Sequence, residues 1–223
     1  MTGGTGRRVA LVAWLLVGGL DATAGAGADP TAIGAELTAD VAAKEESMNE
    51  EAGLSLSEFR SDEAAAWRSV NDVVMGGRSA SRLSVPTDGT GRFEGTVSLE
   101  NNGGFASVRR MVGPVDLGDY AVLALRVRGD GRRYRLRLRT DERYDGIAWQ
   151  ARFDTRPDAW TVVTLSFGEF EPSYRGRRPA GAGPLDTRRI TQLGLMIADR
   201  QAGDFRLEID WIRAVRVIEP AAP

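Results

Sequence analysis

The chain has 223 residues, a formal charge of -2, 42% hydrophobic and 27% charged residues, a globular balance without a net basic field to attract nucleic acid. It contains no cysteine and no histidine, which excludes disulfides, thiolate metal sites, cysteine nucleophiles and the commonest general base. Any catalysis would rest on carboxylates, Tyr, Arg or Ser. Lys44 is the single lysine. The positive charge is therefore almost all arginine, either a compositional bias or a choice of forked groups suited to carboxylate and phosphate.

The chain opens with a positive pair, Arg7 and Arg8, then an apolar run from Val9 to Leu20 and a small-residue tract ending in Ala26-Gly27-Ala28. This is the pattern of a secretory signal peptide over residues 1–28, cleaved near Ala28. The apolar run falls short of the ~20 residues that span a bilayer, so no stable transmembrane anchor is expected; an uncleaved anchor is the alternative. The implied location is exported, periplasmic or extracellular. Residues 29–55 are acidic and Ala-rich ("LTADVAAKEESMNEEAGLS"). Ala and Glu favour helix, but the apolar residues are too sparse for a core stripe. A solvated or loosely helical linker is expected, with a partner-binding helix as the other reading.

Residues 56–218 read as β, with a short tail at 219–223. "RFEGTVSL" puts Phe93, Val97 and Leu99 on one face. "AVLALRVRG" alternates Leu123, Leu125 and Val127 with Arg126 and Arg128; "GDG" turns the chain; "RYRLRLRT" alternates Tyr134, Leu136 and Leu138 with Arg135, Arg137 and Arg139. Alternation on both sides of a tight turn predicts an antiparallel hairpin. Further strands follow in "GIAWQARF", "AWTVVTLSF", "ITQLGLMIAD" and "FRLEIDWIRAVRV". Short strands between Gly, Pro and Asp, with no long helical pattern, predict an all-β sandwich.

Two Asn/Gly clusters interrupt the strands: "VNDVVMGGRS" (residues 70–79) and "LENNGGFASVR" (residues 99–109). Asn and Asp favour turns and Gly permits positive φ, so both can simply shape strand corners. Alternatively they meet at one rim and present Asn71, Asp72, Asn101, Asn102 and Arg109 to a ligand.

These two clusters, with "RVRGDGRRYRLRLRT", "PSYRGR" and "IADRQAGDFRLEIDWIRAV", resemble the complex I intermediate-associated protein 30 family, in family order from Leu56 to Val217. One departure is visible: the family usually reads V-N-D-G-V-M-G-G, and Val73 stands in place of the first of those glycines, where a β-branched residue disfavours positive φ. The resemblance implies a galactose-binding-like jelly roll, similar to some carbohydrate-binding modules. For mitochondrial members it also implies a non-catalytic role in assembling respiratory complex I. It brings no catalytic residues, cofactor or metal site with it.

On the residues themselves, the basic set Arg126, Arg128, Arg135, Arg137 and Arg139 stands out, because like charges across a ladder are destabilising unless partnered. Either Glu208, Asp210 and Asp199 interleave with them, or they bind an acidic glycan, a phosphate or an acidic protein surface. Tyr134, Trp149 and Trp211 share phase with aliphatic residues and read as core. Tyr144 and Tyr174, beside loops, are better stacking platforms, and Arg175 lies with Tyr174 in an exposed loop. No D-x-D-x-D-G loop signals calcium. The leading expectation is a non-enzymatic binding protein acting through protein partners, respiratory-complex or envelope proteins. An exported carbohydrate-binding module comes second. A hydrolase using two carboxylates ~5–10 Å apart comes last. Export and a matrix-side assembly role conflict, and the mature N-terminus decides between them.

Overall fold

The structure is a computed structural model that describes residues 53–60 and 62–216. The expected signal peptide, the linker up to residue 52 and the C-terminal tail lie outside the described residues. Strands dominate, as the alternation predicts, and form two antiparallel sheets. The first contains β1 (Leu54–Ser57), β3 (Ala80–Ser84), β4 (Gly91–Val97), β6 (Val122–Arg128), β9 (Trp160–Ser166) and β12 (Gly203–Val215). Its order is β3-β4-β12-β6-β9, with β1 also paired to β12. The second contains β2 (Arg68–Ser69), β5 (Ala106–Val115), β7 (Arg133–Arg139), β8 (Ala148–Asp154), β10 (Glu171–Ser173) and β11 (Ile190–Ile197), in the order β10-β8-β7-β11-β5-β2. Neighbours in each sheet are mostly distant in sequence, as in a jelly roll. Among the described residues no helix is long and apolar enough to cross a membrane.

The core lies between the sheets. Leu123, Leu125 and Val127 of β6 and Tyr134, Leu136 and Leu138 of β7 are all fully buried in one cluster. This corrects the expected hairpin. The strand β6 pairs with β12 and β9, whereas β7 pairs with β11 and β8. The Gly129–Gly131 turn carries the chain from one sheet to the other. Period-two alternation fixes which residues face inward but not which strand lies alongside. Consequently the five arginines do not form one face: Arg126 and Arg128 leave the outside of the first sheet, and Arg135, Arg137 and Arg139 leave the outside of the second.

Trp211 is a second correction. Phe205, Leu207 and Ile209 point inward, but the register shifts between Ile209 and Trp211, and Ile212 and Ala214 resume the core face. The extra residue of this β-bulge turns Trp211 outward, onto a small cluster with Ala124, Val162 and Val215. Tyr134 is core as expected. Its hydroxyl donates to Asp130 at 3.0 Å, and burial, with that carboxylate nearby, raises its pKa.

Candidate functional site

One corner of the sandwich is organised by Asp72. The chain forms a single 3-10 turn over Asp72–Met75, closed by Gly76 at φ +89°. Val73 is not among the residues with positive φ, so it sits in that turn without strain. Asp72 is fully buried. Its carboxylate accepts from Ser79 N at 2.9 Å, Ser79 Oγ at 2.5 Å, Gly104 N at 2.7 Å and Phe105 N at 3.3 Å. Burial raises its pKa, but these hydrogen bonds outweigh it and hold the carboxyl below its ordinary 3.8. The glycines now have a steric reason: a Cβ at Gly77 would stand 2.4 Å from Asp72, and one at Gly103 2.7 Å from it. Asn71 ties the same corner, accepting from Ser81 Oγ at 2.6 Å and Ser107 N at 3.0 Å.

The two Asn/Gly clusters therefore do meet, and Asn101 Nδ2 donates to Gly76 O at 3.2 Å. Asn101 and Asn102 are exposed, in the left-handed region at φ 53° and 60°. The polar atoms of Asn71 and Asp72 face into this junction. Beside the exposed Asn101 and Asn102, the junction shows solvent an apolar knob: Val73, Val74 and Met75 are 60%, 64% and 60% exposed.

Arg109 lies beside this corner, on the outside of the second sheet. There the register places Arg109 of β5, Gly194 of β11 and Arg137 of β7 in one row. Gln192 and Arg139 face each other in the adjoining row. Because Gly194 has no side chain, a cavity of about 30 Å³ opens there, lined by Arg109, Arg137, Arg139, Gln192, Ser107 and Val70 among others. Among the described residues none of these three arginines forms an ion pair. Burial, with Arg139, Arg135 and Arg109 nearby, lowers the Arg137 pKa to about 10, so it stays charged at neutral pH. Its Nε is buried without a hydrogen-bond partner.

The loop between β7 and β8 closes one end of this face. Its carbonyl groups accept from Arg109 (Tyr144 O, 2.9 Å), Arg139 (Gly146 O, 2.6 Å) and Gln192 (Asp141 O, 2.8 Å). The Arg109 guanidinium lies 4.3 Å from the centre of the Tyr144 ring, which is itself 65% exposed. Burial lowers the Arg109 pKa, with Tyr144 and Asp145 opposing; burial and Arg109 lower that of Arg139, with Asp141, Asp145 and Tyr144 opposing. Tyr174 and Arg175 reach the same loop. Tyr174 OH donates to Asp145 Oδ2 at 3.3 Å, and Arg175 pairs with that carboxylate. The expected residues Arg109, Tyr174 and Arg175 thus gather at one end of the second sheet with Arg137 and Arg139.

The remaining arginines have the carboxylates foreseen for them. Arg126 pairs with Asp210 at 2.9 Å, Arg128 with Glu208, and Arg135 with Asp199. Sequence reading missed Gly194 and Gln192. A glycine inside "ITQLGLMIAD" was the available signal, since glycine within a strand marks bulges and places where something approaches closely.

The fold is a jelly-roll β-sandwich, an architecture shared with carbohydrate-binding modules. A family 11 carbohydrate-binding module from a Clostridium thermocellum cellulosomal cellulase matches with TM-score 0.59 at 16% identity, covering 77% of this chain and 99% of that one. A module of the same family from that organism, in complex with a beta-1,3-1,4-mixed-linked tetrasaccharide, matches with TM-score 0.57 at 17% identity over 75% of this chain and 98% of that one. Identities this low concern the fold alone.

The family model described as Complex I intermediate-associated protein 30 matches residues 57–209, and the chain belongs to that family. An uncharacterized protein of Schizosaccharomyces pombe is 29% identical over 67% of this chain and 77% of its own length. The mitochondrial Complex I intermediate-associated protein 30 of Drosophila melanogaster is 28% identical over 66% of this chain and 57% of its own length. For the Mus musculus protein of the same name the identity is 28%, over 66% and 51%. The chain thus spans from about half to about three quarters of the length of these relatives. Their names correct the expected location: relatives named as mitochondrial conflict with an exported, periplasmic or extracellular protein. A positive start followed by a short apolar run carries no information about the compartment in which relatives of the folded domain work.

Proposed function

We propose that this chain is a non-catalytic binding protein that acts by protein interaction in the assembly of complex I, a reading supported by its Drosophila and mouse relatives, which are named Complex I intermediate-associated protein 30. The observation that carries this reading is the outer face of the second sheet, where Arg109, Arg137 and Arg139 line one cavity and, among the described residues, none of them forms an ion pair. Such a face suits an acidic partner surface, since guanidinium forks bind carboxylates in fixed geometry. Family membership supports the assembly role, and a chain lacking cysteine and histidine suits binding better than chemistry.

The test is crosslinking of the tagged full chain in its own host, followed by purification and mass spectrometry. Complex I subunits or assembly intermediates are expected among the captured proteins. Arg109→Gln with Arg137→Gln should lower their recovery about tenfold or more, the loss expected for one to two charge-assisted contacts. Recovery of no respiratory protein would overturn the reading.

Carbohydrate binding on the same face is a second reading, favoured by the exposed Tyr144 ring beside Arg109. A cavity of about 30 Å³ is too small to take a sugar ring, so a glycan would have to lie across the face against Tyr144. A glycan array with no hit across neutral and acidic sugars removes this reading.

A further inference from the structure

The two outer faces carry the same arrangement with one difference. In the first sheet the central strand β12 places Glu208 directly between Arg92 of β4 and Arg128 of β6. In the second, β11 places Gly194 directly between Arg109 of β5 and Arg137 of β7. Each is a row of three, arginine at both ends, on antiparallel strands. The Glu208 side chain is only 2% exposed and pairs with Arg92 at 3.3 Å, with Arg128 and with Arg206. Over Gly194 there is instead a cavity of about 30 Å³. A water needs ~10–15 Å³ by this measure, so about two waters, or one carboxylate, fit.

We infer that the cavity over Gly194 is a binding site for a single carboxylate group contributed by a partner, which takes between Arg109 and Arg137 the place that Glu208 takes between Arg92 and Arg128. Three features of the site favour this occupant. Among the described residues Arg137 forms no ion pair, whereas Arg92 and Arg128 both pair with Glu208; its buried Nε lacks an acceptor, as do those of Arg92 and Arg135, so the missing ion pair is what marks the site. Arg109 and Arg139 are held by the carbonyl groups of Tyr144 and Gly146, so their guanidinium groups are positioned before the ligand arrives. Gln192, fixed by Asp141 O, narrows the cavity. The inference deepens the binding reading above by naming the recognised group. It rests on that reading only for the statement that the carboxylate belongs to a protein.

Sodium acetate is the probe, titrated into the full chain against sodium chloride and acetamide at matched ionic strength. The Arg137 Nε–H resonance should shift saturably with acetate and not with acetamide. Acetate at about ten times its Kd should raise the apparent Tm by a few degrees, about 3–5 °C. Gly194→Glu, which supplies the carboxylate from within, should abolish both responses. A Cβ there meets Val108 O at 3.0 Å, so Arg137→Gln serves as the second variant if the first does not fold; it should lose the acetate effect on Tm. No saturable Arg137 shift in the parent protein, or an acetate response surviving in these variants, overturns the site. A response to inorganic phosphate with none to acetate overturns the carboxylate assignment. Acetate binding without capture of respiratory proteins fails the assembly reading alone.

Discussion

The outer faces of the two sheets solve the same electrostatic problem in different ways. Both present arginines in register across a central strand, an arrangement that repels itself unless an anion intervenes. The first sheet supplies the anion from its own sequence: Glu208 sits among Arg92, Arg128 and Arg206, and Glu94 pairs with Arg82 at 2.6 Å. The second supplies one for Arg135, through Asp199, and none for Arg137. One face is thus a finished ion-pair network, and the other has charge left over. The finished face stabilises the fold; the unfinished one is available to something else.

Removing the anion from the finished face should have the largest effect. Glu208→Ala leaves three guanidinium groups around a buried vacancy, and breaking a buried pair costs roughly 3–5 kcal/mol. The arginines are partly solvated, with side chains 28%, 34% and 54% exposed, so the lower end, about 3 kcal/mol, is expected in urea unfolding. A loss under about 1 kcal/mol would mean that the network is ornamental, because exposed pairs are worth no more than that. Asp72→Asn should come next, at roughly 2 kcal/mol, since an amide nitrogen would face backbone donors that now bond the carboxylate.

Both carboxylates also set an acid limit. Burial raises the Glu208 pKa, but hydrogen bonds from Arg128 and Arg206 outweigh it, and the net value lies below the ordinary 4.5. Asp72 likewise lies below 3.8. A carboxylate held below its ordinary value stabilises the fold fully above that value, and the contribution disappears as pH falls through the folded-state value. The parent protein should therefore lose stability as pH drops below about 4.5, toward and through the folded-state values, and Glu208→Ala should flatten part of that slope. Unfolding free energies measured from pH 7 to pH 2 check this; identical slopes for the two proteins would contradict it.

Much of this contrast was legible in the sequence, and its decisive half was not. Alternation predicted the inward sets of β6 and β7, and of β12 as far as Ile209 but not Trp211, and marked the arginines as outward. It also offered Asp199, Glu208 and Asp210 as partners, which they are. Pairing was not legible, because a strand's period is the same whichever neighbour it has, so β6 and β7 read as a hairpin when they belong to opposite sheets. The bulge after Ile209 was visible in principle, as the three-residue step from Ile209 to Ile212, but one extra residue inside a regular pattern is easily absorbed into it. The roles of Gly77 and Gly103 depend on where the Asp72 carboxylate lies. Gly194 depends on strands that are adjacent only in the fold.

The smallest expected effect sharpens the comparison most. Arg137→Met keeps the stem beside Gly194 and removes a charge that forms no ion pair among the described residues. Burial and three neighbouring guanidinium groups already disfavour that charge, which is why its pKa falls to about 10. Replacing such a group with an apolar side chain of similar length is neutral or stabilising; a gain of about 0.5–1 kcal/mol is expected, opposite in sign to the Glu208 substitution. Acetate should then reverse the order. A ligand stabilises only the form that binds it, by RT ln(1 + [L]/Kd), or about 1.4 kcal/mol at ten times Kd. The parent should overtake Arg137→Met as acetate rises, whereas chloride at equal ionic strength leaves their order unchanged. If Arg137→Met is less stable than the parent in chloride, the arginine already has what it needs within the chain. The second face would then be as complete as the first.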